Sequence, residues 1–306
     1  MSFDDPFASD GMWLRCALHA HTTNSDGELA PERLAAHYAR AGYDVLCITD
    51  HWVRTLEESD DILCIPGIEL NAVTSRGSDA HVLALGSAAD PIEPGREFAG
   101  LQETVDWIVA NGGVPFVAHP YWSGLRFDEL VGCNGLLGIE VYNAGCQLEI
   151  GRGLSGVHWD DCLEDGARFL ALATDDSHLP GFDSGFASVW VRVAERTQQA
   201  VLDALRTGRF YSSTGPRIES VTVVDGAVEV RCSPAASVAL VAARTRGAKV
   251  NAGRMGYRSD GRVTAEDDEG RIVAARLERP RSLPYGRVEV TDEHGGTAWS
   301  NPLWFD

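Results

Sequence analysis

Leu14–Gly27 reads LRCALHAHTTNSDG, an apolar run that delivers His19 and His21, followed by a short polar turn that delivers Asp26. Alternate residues of an extended segment point the same way, so a His-x-His pair sets two imidazoles on one side. Imidazole is the commonest nitrogen ligand for first-row transition metals, and a carboxylate a few residues later suits the same ion or a neighbouring one. The stretch predicts a strand that ends in metal-binding side chains. The question it raises is which other segments supply the remaining ligands.

Downstream, Pro31 opens a helical pattern, PERLAAHYARAG, closed by Gly42. A short strand from Tyr43 ends in Asp50 and His51, and ILCIPGIEL reads as another strand, ending in Glu69. DAHVLALG carries His81 near its start, Phe98 to Asn111 is an amphipathic helix, and VPFVAHPYW is a buried strand ending in His119. LLGIEVYN, a probable helix up to Gly166, RFLALATDDSH, ASVWVRV and the helix TQQAVLDALRTG complete the series. Strands alternating with helices over about 200 residues predict parallel strands joined by crossover helices. Polar groups gathered at strand C-terminal ends place a barrel-like or open α/β site at that face.

The texture changes after Gly215-Pro216. SVTVVDGAVEVRCS, VALVAART, GRVTAEDDEGRIVAARL and GRVEVTDEHGG are short alternating runs separated by Asp-Gly and Gly-Gly turns. They predict an antiparallel β-sandwich of about 90 residues, with a boundary near Thr214. The fold class expected is thus α/β, with residues 1–214 as a metal-site domain and residues 215–306 as a small all-β accessory domain.

Composition narrows the function. The net charge of −19 opposes binding to a nucleic-acid polymer, which needs a basic face, and favours a small substrate in a local positive site. No run approaches the ~20 apolar residues of a membrane span, and the acidic N-terminus MSFDDPFASDG is unlike a signal peptide, so a cytoplasmic location is expected. Seven scattered cysteines form no C-x-x-C pair and read as buried free thiols.

Six of the nine histidines (His19, His21, His51, His81, His119 and His178) lie at or near strand ends, each with a carboxylate close by. Such a set suits Zn, Mn or Fe, and the lack of cysteine pairs disfavours a structural zinc site. HAHTTNSDG, ITDH, GIEL, HVLAL, AHP and TDDSH, in that order, resemble the PHP (polymerase and histidinol phosphatase) metallohydrolase superfamily over residues 12–214. The resemblance implies a distorted (βα)7 barrel with two or three divalent metal ions at the C-terminal face of its strands. It assigns one metal to His19, His21, Glu69 and Asp176, and a second to Glu69 as bridge with His81 and His119. A third falls to Asp26, His51 and His178. Asp176 is preferred to Asp175 because the family motif is Asp-x-His. Glu69, Asp176 and His178 are the residues expected to act in the chemical step. GRFYSSTGP and the tail ending in AWSNPLWF are similar to the carbaryl-hydrolase-like branch of that superfamily.

The chemistry implied is hydrolysis of a small phosphate ester by a metal-bridging hydroxide. An ester, amide or carbamate hydrolase using the same hydroxide is the alternative, and a non-catalytic metal-containing binding module a third reading. With one lysine in the chain, Lys249, cationic help in the first domain must come from arginine: Arg54, Arg126 or Arg152. Tyr121, Tyr142 and Asn143 follow strand ends and are further candidates for substrate contact. His37, His158 and His294 read as structural or surface histidines.

Overall fold

The computed structural model describes residues 5–74, 79–89, 98–253, 260–279 and 284–305. Contacts divide the chain into two compact units, residues 10–209 and residues 5–9 with 210 onward.

The first unit opens with β1 (Met12–Ala17), α1 (Pro31–Arg40), β2 (Val45–Ile48), β3 (Leu63–Pro66), β4 (Glu69–Val73) and β5 (Asp79–Leu85). It continues through α2 (Leu101–Ala110), β6 (Val114–Ala118), α3 (Pro120–Ser123), α4 (Phe127–Val131), β7 (Gly138–Asn143) and α5 (Ala144–Ile150). Then come α6 (Gly156–Glu164), β8 (Leu170–Thr174), α7 (Pro180–Asp183), β9 (Ser188–Val193) and α8 (Gln198–Thr207). Helices fall where the sequence placed them: Pro31 opens α1, and Gly208, at φ 78°, caps α8 in the left-handed conformation.

Two sheets result. In one, ordered β9-β1-β2-β3, β1, β2 and β3 are parallel and β9 runs antiparallel to β1. The other is ordered β4-β5-β6-β7-β8. There β5 is antiparallel to both β4 and β6, whereas β6, β7 and β8 are parallel. The expectation of parallel strands throughout is therefore corrected to a mixed architecture. A parallel crossover needs about a dozen residues, and the link between Val73 and Asp79 is too short for one, so β5 must turn back.

A second correction concerns ILCIPGIEL, which is two strands rather than one. Pro66 and Gly67 end β3 against β2, where a Cβ on Gly67 would lie 2.8 Å from Cys47 Sγ and 2.9 Å from the Thr49 methyl. Gly67 N donates to Ile48 O while Ile68 N donates to Ala84 O, so the chain changes sheets here. Glu69 consequently begins β4 instead of ending a strand.

The sheets are joined at one end by isolated parallel bridges, Ala20 with Ser177 and His51 with Glu69. His21 N donates to Ser177 O at 2.9 Å and Asp176 N donates to His19 O at 3.1 Å. Under this end, α1 buries Leu34, Ala35 and Tyr38 against Ala17, Leu46, Ile48 and Ile62. Truncating a buried leucine such as Leu34 to alanine costs about 2–5 kcal/mol in comparable cores.

The second unit is all antiparallel. Its strands are β10 (Phe210–Ser213), β11 (Ile218–Val224), β12 (Ala227–Ala235), β13 (Ser237–Ala242) and β14 (Gly247–Asn251). The others are β15 (Gly261–Glu266), β16 (Ile272–Glu278), β17 (Tyr285–Thr291), β18 (Thr297–Ser300) and β19 (Leu303–Trp304). One sheet runs β14-β13-β17-β18-β10, with β19 also on β17, and the other β11-β12-β16-β15. Asp225 and Gly226, both at positive φ, form the β11–β12 turn, as the Asp-Gly pair demands. All seven cysteines are free thiols. Among the described residues no helix is long and apolar enough to cross a membrane.

Candidate metal centre

The joined strand ends gather every histidine and carboxylate that the motifs pointed to. Side chains from the ends of β1, β2, β6 and β8 meet those of β4 and β5 around a cavity of about 530 Å³. Four groups of potential donors have ligand atoms within 4.8 Å of one another. They are His19-His21-Glu69-Asp176, His21-Asp26-His51-His178, His51-Glu69-His81 and His119-Cys146-Asp176.

Glu69 lies at the centre and uses its two oxygens differently. Oε2 is 3.2 Å from His19 Nε2, 3.1 Å from His21 Nε2 and 3.5 Å from His51 Nδ1. Oε1 is 2.9 Å from His81 Nδ1 and 3.4 Å from His119 Nε2. Asp176 divides similarly: Oδ1 is 3.0 Å from His19 Nε2 and 3.2 Å from His21 Nε2, while Oδ2 accepts from the Asn143 amide at 3.1 Å. At the outer edge, Asp26 approaches His178 at 3.5 Å and His51 at 3.7 Å.

The residues fit a cation. His19 Nδ1 donates to Glu140 Oε1 at 2.7 Å, which leaves a lone pair on Nε2. That lone pair faces the oxygens of Glu69 and Asp176, an arrangement of electron-rich atoms that only positive charge between them can hold together. Asp176 Oδ1 and His51 Nδ1 are buried without a hydrogen-bond partner, as atoms reserved for an ion would be. Protons can meet the same need. Burial pushes His19 down, but Asp176, Glu69 and Glu140 outweigh it and hold its pKa well above the ordinary value. For His21, burial is likewise overcome by Asp176 and Glu69, and its pKa rises to about 9. Burial wins at His51, whose pKa is lowered despite Glu69.

Several residues outside the assigned ligand set surround this site. Glu140, fully buried within the apolar run of β7, orients His19 through Oε1 and accepts from His119 N and the Asn143 amide through Oε2. A lone acid inside a buried strand was its visible signal. Asp50 accepts from Thr22 N, Thr22 Oγ1, Ser25 Oγ and Thr55 Oγ1, which fixes the turn that carries Asp26. Asp183 accepts from His178 N, Leu179 N and Ser177 Oγ. Asp175 faces away from the cavity, accepting from Tyr38 Oη and the amides of Gly185, Phe186 and Ala187. Burial raises its pKa to about 6 against those donors.

The four substrate contacts expected from the sequence do not line the cavity. Arg54 donates from Nε to Ser87 O, and Arg126 is exposed and paired with Asp128. Asn143 is buried, with its amide given to Glu140 and Asp176 and its oxygen to Cys146 N. Tyr142 is half-buried in β7. Arg152 sits over the Tyr121 ring. The wall is instead made by Trp122, Leu148, Leu179 and Phe182 with Glu149 and Asp183; among the described residues no lysine or arginine lines it. His37 bonds to Ser184, His158 bonds to Leu125 O, and His294 is exposed.

No protein-family model matches the sequence, and no curated protein does. Among solved structures, the chain is similar to a two-domain protein from Bacteroides vulgatus containing a predicted PHP-like metal-dependent phosphoesterase. Identity is 17%, the TM-score is 0.51, and the match covers 99% of this chain and 98% of that one. The two chains share a fold over nearly their whole lengths. Partial matches reach an amidohydrolase from Chromobacterium violaceum, at 17% identity, TM-score 0.42, and 55% and 89% coverage. Another is a candidate metal-dependent phosphoesterase from Bifidobacterium adolescentis, at 16% identity, TM-score 0.41, and 53% and 87% coverage. The clustered donors suit divalent metal ions.

Proposed function

We propose that the chain is a metal-dependent hydrolase of small phosphate esters. Its active site would lie in a distorted (βα)7-type barrel spanning residues 1–214, with residues 215–306 as a β-sandwich accessory domain. The observation that carries the reading is the split of Glu69, whose Oε2 serves one set of imidazoles and whose Oε1 serves another. A carboxylate so placed suits a bridge between two ions. His19, His21, Glu69 and Asp176 would hold the first ion, Glu69, His81 and His119 the second, and Asp26, His51 and His178 a third. When bound, such ions supply an acidified water and positive charge for the oxygen of the electrophile. Glu140 keeps His19 in the tautomer that offers Nε2, and Asn143 holds Asp176. His178, one-third exposed at the cavity edge, can carry a proton opposite Asp26. A cavity of about 530 Å³ suits a small molecule.

One observation favours a second reading, hydrolysis of a carboxylic ester, amide or carbamate. The cavity wall offers Trp122, Leu148, Leu179 and Phe182 and, among the described residues, no cationic side chain to receive a phosphate. The deciding measurement gives protein of verified metal content a panel of phosphomonoesters, phosphodiesters, esters and carbamates. Turnover of phosphoesters is the expected result. Turnover confined to esters or carbamates replaces it with the second reading, and no turnover of any of them rejects both.

A further inference from the structure

The geometry points to Cys146 as a further ligand of the ion that His119 would hold, with an Asp176 oxygen within reach of the same position. This rests on the metal-binding reading above and deepens it. The donor atoms of His119, Cys146 and Asp176 lie within 4.8 Å of one another, close to the roughly 3–4.6 Å separations of donors that share one ion at 2.0–2.3 Å. All three residues are buried, and Cys146 faces the cavity. Among the described residues its sulfur has no hydrogen-bond partner.

The thiol is put there by a built structure rather than by packing alone. Gly145 N donates to Asp175 O at 2.8 Å, and a Cβ on Gly145 would lie 2.9 Å from Asp176 O. Only a glycine allows this first turn of α5 to press so closely against the backbone of Asp176. The following residue is then delivered to the cluster. Asn143 fixes the same point from the other side, since its oxygen accepts from Cys146 N at 2.9 Å while its amide donates to Asp176 Oδ2 at 3.1 Å. One asparagine thus holds both the carboxylate and the cysteine. The other six thiols of the chain are not among the donor groups around the cavity.

Formation of the sulfur–metal bond breaks the S–H bond and releases that proton to solvent. A thiolate is a soft donor, so this position favours zinc, iron or cobalt over manganese and magnesium, which prefer oxygen-rich sets.

The test uses the 306-residue chain, stripped with chelator and titrated with Co²⁺ under anaerobic conditions. Visible d–d bands report cobalt in the cluster; a near-ultraviolet thiolate-to-cobalt charge-transfer band reports sulfur ligation. The expected result is both sets of bands in the wild type, with the charge-transfer band lost in Cys146→Ser and Cys146→Ala and the d–d bands retained. Wild-type d–d bands without the charge-transfer band overturn the role of Cys146 and leave the metal-binding reading standing. A charge-transfer band that survives both substitutions also overturns it, because another thiol is then the ligand. Absence of any cobalt spectrum overturns both.

Discussion

The two ends of the candidate site differ in how they meet solvent. His19, His21, Glu69 and Asp176 are buried, so each donor is held by neighbouring carboxylates, amides or rings. Asp26, His51 and His178 stand at the edge; the Asp26 side chain is 54% exposed, and its low pKa comes chiefly from its contact with His178. Desolvated charges interact strongly and cannot exchange with water, whereas exposed ones are screened. The contrast teaches that donors of similar type can form one permanent ion position and one exchangeable position, set by depth alone.

The largest test of that contrast is Asp176→Ala. It removes a carboxylate oxygen from the deep group and leaves two buried imidazoles unbalanced, so activity should fall by on the order of 10²–10³-fold. Elemental analysis should show the loss of a tightly held ion. Next comes Glu140→Gln, which spares every proposed ligand but frees the His19 ring to adopt the wrong tautomer. Metal affinity measured by chelator competition should drop about 10–100-fold. His51→Ala should do less, with about a tenfold loss of activity that added metal largely restores. A loss equal to that of Asp176→Ala would erase the distinction between the two ends.

The last test concerns pH and reads stability rather than activity. In the metal-free protein the His21 pKa is raised from 6.5 to about 9, so its protonation stabilises the fold fully below 6.5 and that contribution is lost as pH rises through 9. The thermal midpoint of metal-free protein should fall across this window, by the equivalent of a few kcal/mol. Protein loaded with zinc should show no such fall, since the ion replaces the proton. A metal-free midpoint that is flat or rising from pH 6.5 to 9 would contradict the deep, carboxylate-rich setting of His21.

The cluster was legible in the sequence because candidate ligands at strand termini carry their own context: an apolar run followed by His, Asp or Glu. His19, His51, His119 and Asp176 all follow that rule. Glu69 does not, since it opens β4 after the chain has changed sheets at Pro66-Gly67. Apolar periodicity cannot register such a switch, because both sheets are buried. The direction of β5 was hidden for a related reason: an antiparallel strand and a parallel one share the same hydrophobic pattern, and only the shortness of the 74–78 link separates them. Glu140 and Cys146 meet the cluster only through the fold, at sequence separations of 121 residues to His19 and 30 residues to Asp176, respectively. Arg54, Arg126, Tyr142 and Asn143 lie near the motifs in sequence, but sequence proximity does not set side-chain direction: Arg54 bonds to Ser87 O, Arg126 pairs with Asp128, and Asn143 donates to Glu140 and Asp176. In the second unit, turn chemistry carried more information than side-chain type, as Asp225-Gly226 shows.

Among the described residues five non-glycine positions have positive φ, and three adjoin the cluster: Trp52 at 62°, His119 at 29° and Asp176 at 54°. Left-handed backbone costs an ordinary side chain about 1–3 kcal/mol, and glycine would relieve it. Two of these three positions cannot accept glycine without giving up a proposed ligand. Backbone strain and proposed ligand thus sit on the same residues, and relieving the strain at Asp176 would also unbalance the buried His19 and His21.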